Sequence, residues 1–332
     1  PSSNLHLKAL YPHLEEAELC GIFDESLGDP LYSPKAFSVM GIKDVIGKIF
    51  AAKEAMEELV FLARAVDKVL LIDAPAFNLP LAKKIKEKYP QKEISYYVLP
   101  KVWAWKKKRI PVLAKTIDHL ASILPFEKDY YPEDAPITYV GHPLLDNIKH
   151  FKQELNKEMK NIVFMPGSRK GEISKLMPVF HEVRKSLGIQ ATIIIPEYFS
   201  DEEVVTLFGD LSEFKIVHET HKTLYEADFA FICSGTATLE AALIGIPFVL
   251  AYIAKPFDYF IASRLVKLDY LGLSNIMFSK YNNRAIHPEF IQDGVTVENL
   301  VKAYKEYNVE NFLEDSKSLR KYLVSGSSKN VA

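Results

Sequence analysis

Two stretches of this chain share one design, and the repetition constrains the fold more than any other feature. Asn161-Ile-Val-Phe-Met165 is apolar and partly β-branched, as a buried strand is, and Pro166-Gly167 breaks it. Helical spacing follows in Ile173, Leu176, Met177, Phe180 and Val183, with Ser168 the expected cap. A strand, a glycine turn and a helix start aim backbone N–H groups and a positive dipole end at one point. Gly167 has no Cβ to hold a ligand away, and Arg169 can fork onto two oxygens. The stretch reads as a phosphate seat, against the alternative of an ordinary strand-to-helix turn with a solvated arginine. The second copy is Asp228-Phe-Ala-Phe-Ile-Cys233 followed by Ser234-Gly235-Thr236-Ala-Thr-Leu-Glu240. Two such turns suit a diphosphate better than one. Glu240, about one turn inside the second helix, is placed for the hydroxyls of a ribose, or else is a solvated helix acid.

Strands alternate with helices on both sides of these turns. With 332 residues, this predicts an α/β protein of two doubly wound, Rossmann-like lobes. Strands are expected at 19–23, 68–73, 94–98, 119–124 and 138–140 in the first half, and at 191–195, 214–217 and 247–252 in the second. Helices are expected at 5–14, from about 40 to 65, and at 79–88, 144–157, 202–208, 222–226, 259–266 and from 297 to about 324. The stretch from Ser325 reads as a frayed tail. The expected division is a first lobe over 1–143, rejoined by a C-terminal helix at about 306–332, and a second lobe over 144–305 that holds both glycine turns.

Several residues outside the paired turns carry chemistry. Asp73 ends a strand, where open α/β sheets gather ligands, so it suits a general base or equally a cap for the next helix. Both tryptophans, Trp103 and Trp105, stand beside Lys106 and Arg109. They form either a site for an anionic, partly apolar substrate at a membrane surface or a basic helix start whose indoles pack inward. Val45, Ile46, Ile49 and Phe50 repeat at helical spacing and read first as a core-facing stripe. His142, between Gly141 and Pro143, suits a hinge, where a lone histidine is usually a structural hydrogen-bonder.

Other classes fall away. A net charge of −2 argues against a nucleic-acid binder. Cys20 and Cys233 match no metal spacing and read as buried thiols. Neither G-x-x-x-x-G-K-[ST] nor G-x-G-x-x-G follows a strand. The longest uncharged apolar stretch, Ala241 to Ala254, is short of the roughly 20 residues a membrane span needs. What remains is group transfer from a nucleotide diphosphate across an interdomain cleft.

An ordered series of motifs now becomes specific. It comprises Met40-Gly41, Ile72-Asp-Ala-Pro75 with Phe77-Asn78, Val102-Trp-Ala-Trp105, Leu124-Pro-Phe-Glu127 and Val140-Gly-His-Pro143. It continues through Pro166-Gly-Ser-Arg169 with Glu172-Ile173, Ser234 to Glu240, Arg264-Leu-Val-Lys267, Asn275, and Pro288-Glu289 with Gln292. In these the chain resembles the lipid-A-disaccharide synthases, inverting glycosyltransferases of the two-lobed GT-B fold. The resemblance implies transfer of 2,3-diacylglucosamine from UDP to the 6-hydroxyl of 2,3-diacylglucosamine 1-phosphate. It implies Asp73, Arg169 and Asn275 as catalytic residues. It also implies Gly167, Ser168, Arg169, Ser234, Gly235, Thr236, Glu240, Glu289 and Gln292 around the UDP-sugar. It turns Val45, Ile46, Ile49 and Phe50 toward a membrane, and gives Trp103, Trp105, Lys106 and Arg109 to the acceptor or the interface. The implied partners are UDP-diacylglucosamine, diacylglucosamine 1-phosphate and the cytoplasmic face of the inner membrane, with a homodimer as an option and neither nucleic acid, metal nor cofactor. The resemblance makes 1–143 the acceptor-binding lobe, here without its first strand, and 144–305 the UDP-sugar-binding lobe, and the chain departs from the family at Ala76, where an acid is usual, and at Pro1 to Asn4. Another UDP-sugar GT-B transferase or epimerase is the alternative reading.

Overall fold

A computed structural model describes residues 2–34, 45–156, 158–255 and 269–332. The chain divides into two compact units, one of Pro1–Asp146 with Leu323–Ala332, the other of Asn147–Tyr322. In the first unit lie helices α1 (Ser2–Leu10), α2 (Val45–Leu62), α3 (Pro75–Lys88), α4 (Ile110–Thr116) and α5 (Pro143–Asn147). Its strands are β1 (Lys68–Ile72), β2 (Glu93–Tyr97), β3 (His119–Ser122) and β4 (Ile137–Tyr139), all parallel and side by side in that order. Strand side chains alternate between faces. Leu71, Ile94, Tyr96 and Leu120 therefore bury against α2, α3 and α4, while Ile72 and Tyr97 meet Leu7 of α1 on the other face.

The second unit holds β5 (Ile162–Met165), α6 (Lys170–Leu187), β6 (Ala191–Ile194), α7 (Asp201–Phe208), β7 (Phe214–Val217) and α8 (His221–Glu226). It continues with β8 (Phe229–Cys233), α9 (Thr236–Ile244), β9 (Phe248–Tyr252), α10 (Leu273–Asn282), β10 (Glu289–Ile291), α11 (Val297–Lys305) and α12 (Phe312–Leu323). Its sheet is parallel throughout, in the order β10-β9-β8-β5-β6-β7. Strands covered on both faces read as continuous apolar runs, and every residue of β5 and β8 is buried. Phe164 and Phe231 stack at 4.9 Å between neighbouring strands, within a core that takes Ile173, Leu176, Phe180 and Val183 from α6.

Four expectations differ from the structure. Among the described residues, the stretch 19–23 forms an isolated bridge, Ile22 to Tyr32, and no strand. The helix expected over 144–157 stops at Asn147. The tail is a docked helix, α13 (Ser327–Val331): Tyr97 and Ser327 share a hydroxyl hydrogen bond, and Asn330 Nδ2 donates to Val140 O at 3.0 Å. The return to the first unit begins at Leu323 rather than 306, since Phe312 and Leu319 are buried in the second unit, Phe312 against Phe248. The helix expected at 259–266 and the Met40-Gly41 and Arg264 to Lys267 motifs lie outside the described residues. Among the described residues, no helix is long and apolar enough to cross a membrane.

Candidate functional site

From β5 the chain of the second unit winds outward through β6 to β7, then returns beside β5 as β8 and winds the other way. The strand order reverses between β5 and β8, which pair with Met165 opposite Ile232. Ligands of open α/β sheets sit at such a reversal, beyond the carboxyl ends of the strands. Both glycine turns leave from these two strands, so the helix starts stand side by side.

Gly167 has φ +103°, and a Cβ there would lie 3.2 Å from both Cys233 Sγ and Glu172 Oε2. Gly235 has φ +141° with open space where its Cβ would point. The N-cap of α6 is Arg169, not Ser168, and that of α9 is Gly235; neither carries a side-chain cap. Ser168 is displaced from the cap because Arg169 is itself extended (φ −107°, ψ 131°); the Ser168 carbonyl instead accepts from Tyr198 OH at 2.6 Å. Neither helix start is closed by a side-chain cap, the arrangement an anion seat requires. Arg169 leaves 80% of its side chain exposed while Nη1 donates to Glu172 Oε1 at 2.8 Å. Glu240 lies in α9 with its carboxyl pushed up by burial, which His221 opposes.

Further along the carboxyl edge, Gln292 follows β10 with φ +52°, and its Oε1 accepts from Ala254 N at 2.7 Å. Asn275 is fully buried (0% exposed), and its amide is committed on both sides. Nδ2 donates to His287 O at 2.9 Å and Glu289 Oε1 at 2.7 Å; Oδ1 accepts from Ile286 N at 2.8 Å and His287 N at 3.2 Å. Glu289 also accepts from Leu271 N at 2.7 Å and Gly272 N at 3.0 Å. Close approach explains Gly272, since a Cβ would fall 2.9 Å from Glu289 Oε1. The polar cluster extends to His287, whose Nε2 accepts from Ser274 Oγ at 2.7 Å and whose Nδ1 faces Pro288 O at 3.0 Å. Burial lowers the His287 pKa to about 3, so the ring is neutral. Asn275 therefore builds the support of Glu289 rather than a contact surface.

In the first unit, Asp73 and Ala74 follow β1 with φ +48° and +44°, two successive non-glycine residues in the left-handed region. Each costs on the order of 1–3 kcal/mol, sustained only where surroundings over-determine the backbone. The surroundings are the Asp73 N–H donating to Tyr97 O at 3.0 Å, and the Asp73 carbonyl accepting from Asn78 Nδ2 at 2.7 Å and Tyr96 OH at 2.6 Å. Asp73 does not cap α3: the N-cap is Ala74, without a side-chain bond. His6 and His142 gather nearby, which the sequence did not signal. The His6 ring meets Tyr97 edge-on at 5.7 Å, and its pKa is lowered by burial against an opposing pull from Asp73. His142 is buried, its Nδ1 accepts from Leu144 N at 3.3 Å, and burial lowers its pKa to about 3.

The tryptophans part company. Trp103 is 5% exposed and packs edge-on to Phe126 at 5.2 Å, so it belongs to the core and not to a surface. Trp105 is 44% exposed, with Lys106 Nζ 4.1 Å from its ring centroid, and Arg109 opens α4. Beside Trp103, Glu127 is buried at 1% exposure against Ser122 Oγ, and burial raises its carboxyl to about 8. Val45, Ile46, Ile49 and Phe50 lie in α2, but their side chains are outside the described residues. Cys233 is buried as expected, whereas Cys20 is exposed.

Comparison with known proteins places the whole chain in one context. A family model described as lipid-A-disaccharide synthetase matches residues 2–329. The lipid-A-disaccharide synthase of Helicobacter pylori is 48% identical over 345 residues, covering 100% of this chain and 94% of its own length. That of Campylobacter jejuni is 47% identical over 353 residues, covering 100% and 96%. Solved structures of similar fold include Acinetobacter baumannii MurG (TM-score 0.58, 14% identity, 99% and 94% covered). Another is a UDP-GlcNAc 2-epimerase from Neisseria meningitidis bound to UDP-GlcNAc (TM-score 0.55, 10% identity, 99% and 95% covered). At these identities the structural likeness carries the fold alone, and that fold is GT-B.

Proposed function

The chain belongs to the lipid-A-disaccharide synthase family, glycosyltransferases of lipid A biosynthesis, and from that premise we propose its substrates and chemistry. The donor is UDP-2,3-diacylglucosamine and the acceptor 2,3-diacylglucosamine 1-phosphate. The acceptor 6-hydroxyl attacks the anomeric carbon from the face opposite UDP. The configuration inverts, and the products are the β-1,6-linked disaccharide 1-phosphate and UDP. The observation that carries this reading is the pair of uncapped helix starts at the strand reversal of the second unit.

An inverting transfer needs a base for the hydroxyl proton and a seat for the charge that develops on the departing diphosphate. Asp73 takes the proton, its carboxylate held in place by the clamped, strained backbone beneath it. Gly167, Ser168 and Arg169, with Ser234, Gly235 and Thr236, receive the diphosphate through the starts of α6 and α9. Glu240 binds the ribose. Gln292 offers its amide Nε2 to the donor sugar while Oε1 stays on Ala254 N. Asn275 acts through Glu289 as a positioning residue. The exposed Trp105, with Lys106 and Arg109, favours docking of an anionic lipid acceptor on the cytoplasmic face of the inner membrane.

UDP release is the test. Release that requires both diacylated glucosamine substrates supports the reaction; release with the donor alone, or none with both, refutes it. Asp73→Asn should lower turnover about 10²- to 10⁴-fold without changing the unfolding temperature. Near-normal turnover in the folded variant would remove Asp73 as the base.

A further inference from the structure

The geometry points to Glu172 as a positioning residue for the leaving group: a buried anion beneath the diphosphate seat that orients Arg169 and that Arg169 must neutralise. This rests on the reading of the paired turns as the UDP site.

Glu172 is the third residue of α6, where a glutamate usually reaches back to the N-cap backbone N–H. Here it does something else. One oxygen, Oε1, takes Arg169 Nη1 at 2.8 Å; the other, Oε2, faces Cys233 Sγ at 4.0 Å, under Gly167. The side chain is 11% exposed, and a buried carboxylate persists only where it is paired. Its compensation comes from the positive end of α6 and from Arg169. A guanidinium has five N–H donors in a planar fork, so one tied nitrogen fixes the plane and leaves the rest to face a ligand. The 80% exposure of Arg169 fits that division of labour.

Two consequences of opposite sign follow. With Arg169 present, Glu172 helps UDP by holding the fork in one orientation. With Arg169 removed, Glu172 harms UDP, because an unmasked carboxylate then sits under the seat of a diphosphate. The loss caused by Arg169→Ala therefore has two parts, a missing cation and an exposed anion, and Glu172→Gln removes the second.

The experiment is calorimetric titration of UDP into the full chain and into Arg169→Ala, Glu172→Gln and the double variant, with the unfolding temperature of each measured alongside. Arg169→Ala should weaken UDP about 100-fold and Glu172→Gln about 3- to 10-fold, while the double variant binds at least about 3-fold more tightly than Arg169→Ala. Glu172→Asp should restore part of the single-variant loss. A double variant as weak as Arg169→Ala or weaker overturns the inference. So does a Glu172→Gln variant of lowered unfolding temperature but unchanged UDP affinity, the signature of a purely structural carboxylate. A wild-type chain that does not bind UDP refutes the seat itself.

Discussion

Alanine at Gly167 and at Gly235 perturbs the two halves of the candidate seat in ways the structure distinguishes. Both glycines lie at positive φ, +103° and +141°, so either substitution forces an L-residue into a disfavoured backbone. That strain should cost about 2 kcal/mol at each. At Gly235 the new methyl group meets nothing within 4 Å. At Gly167 it lies 3.2 Å from Cys233 Sγ and Glu172 Oε2 and 3.3 Å from Cys233 Cβ, at the packed end of β8 and the first turn of α6. Relieving three contacts against buried neighbours adds about 1–2 kcal/mol, giving about 3–4 kcal/mol for Gly167→Ala. At about 3 °C per kcal/mol for a domain of this size, the unfolding temperature should fall by about 6 °C for Gly235→Ala and about 10 °C for Gly167→Ala. UDP binding should weaken in both, but for different reasons. Gly235→Ala puts a methyl group into the space left for the ligand, while Gly167→Ala pushes on the Glu172 carboxylate that holds Arg169. Thermal unfolding with and without saturating UDP reads both terms. Equal falls in unfolding temperature, or a Gly235→Ala chain that binds UDP normally, would refute the assignment of sterics and site.

Asn275→Ala should destabilise the second unit by about 3 kcal/mol, since it strands buried donors and acceptors at Ile286, His287 and Glu289. Thermal unfolding checks this, and Asn275→Asp should be no better, because it sets a carboxylate against Glu289 and the His287 carbonyl. Glu127 makes the first unit sensitive to base. Its folded pKa, about 8, lies above its ordinary 4.5, so the folded state holds the proton more tightly than the unfolded state. Its contribution is fully present below pH 4.5 and is lost as pH rises through about 8. Denaturant titrations across that range should show a falling stability that Glu127→Gln flattens; an unchanged slope would contradict it.

Much of the second unit was legible in the sequence because its signals are local. An apolar run, a glycine and a helical repeat specify each turn, and the repeated pattern at Cys233-Ser234-Gly235 finds its partner without tertiary information. What stayed hidden depends on neighbours distant in the chain. Trp103 and Trp105 are two residues apart with the same basic flanks, yet Phe126 buries the first and nothing covers the second to the same degree. Asn275 stands in an apolar segment where a polar residue signals function. Only the return of 286–289 beside α10 shows that its amide is consumed in holding Glu289. Ser168 has the right chemistry for a cap, but the extended backbone at Arg169 moves the cap by one residue. The proximity of His6 to Asp73 has no sequence signal, since it follows from the packing of α1 on Tyr97.

The return of Leu323–Ala332 to the first unit has a consequence for how the protein is made. On a ribosome, the second unit emerges whole before those residues appear, whereas the first must wait for them. Until then the His142 N–H, the Val140 carbonyl and the Tyr97 hydroxyl lack the partners they find in Val324, Asn330 and Ser327. Chains truncated before Leu323 should therefore expose the unit carrying Asp73 to protease while the second unit resists. Of the two units, the one that carries Asp73 is therefore the later to close.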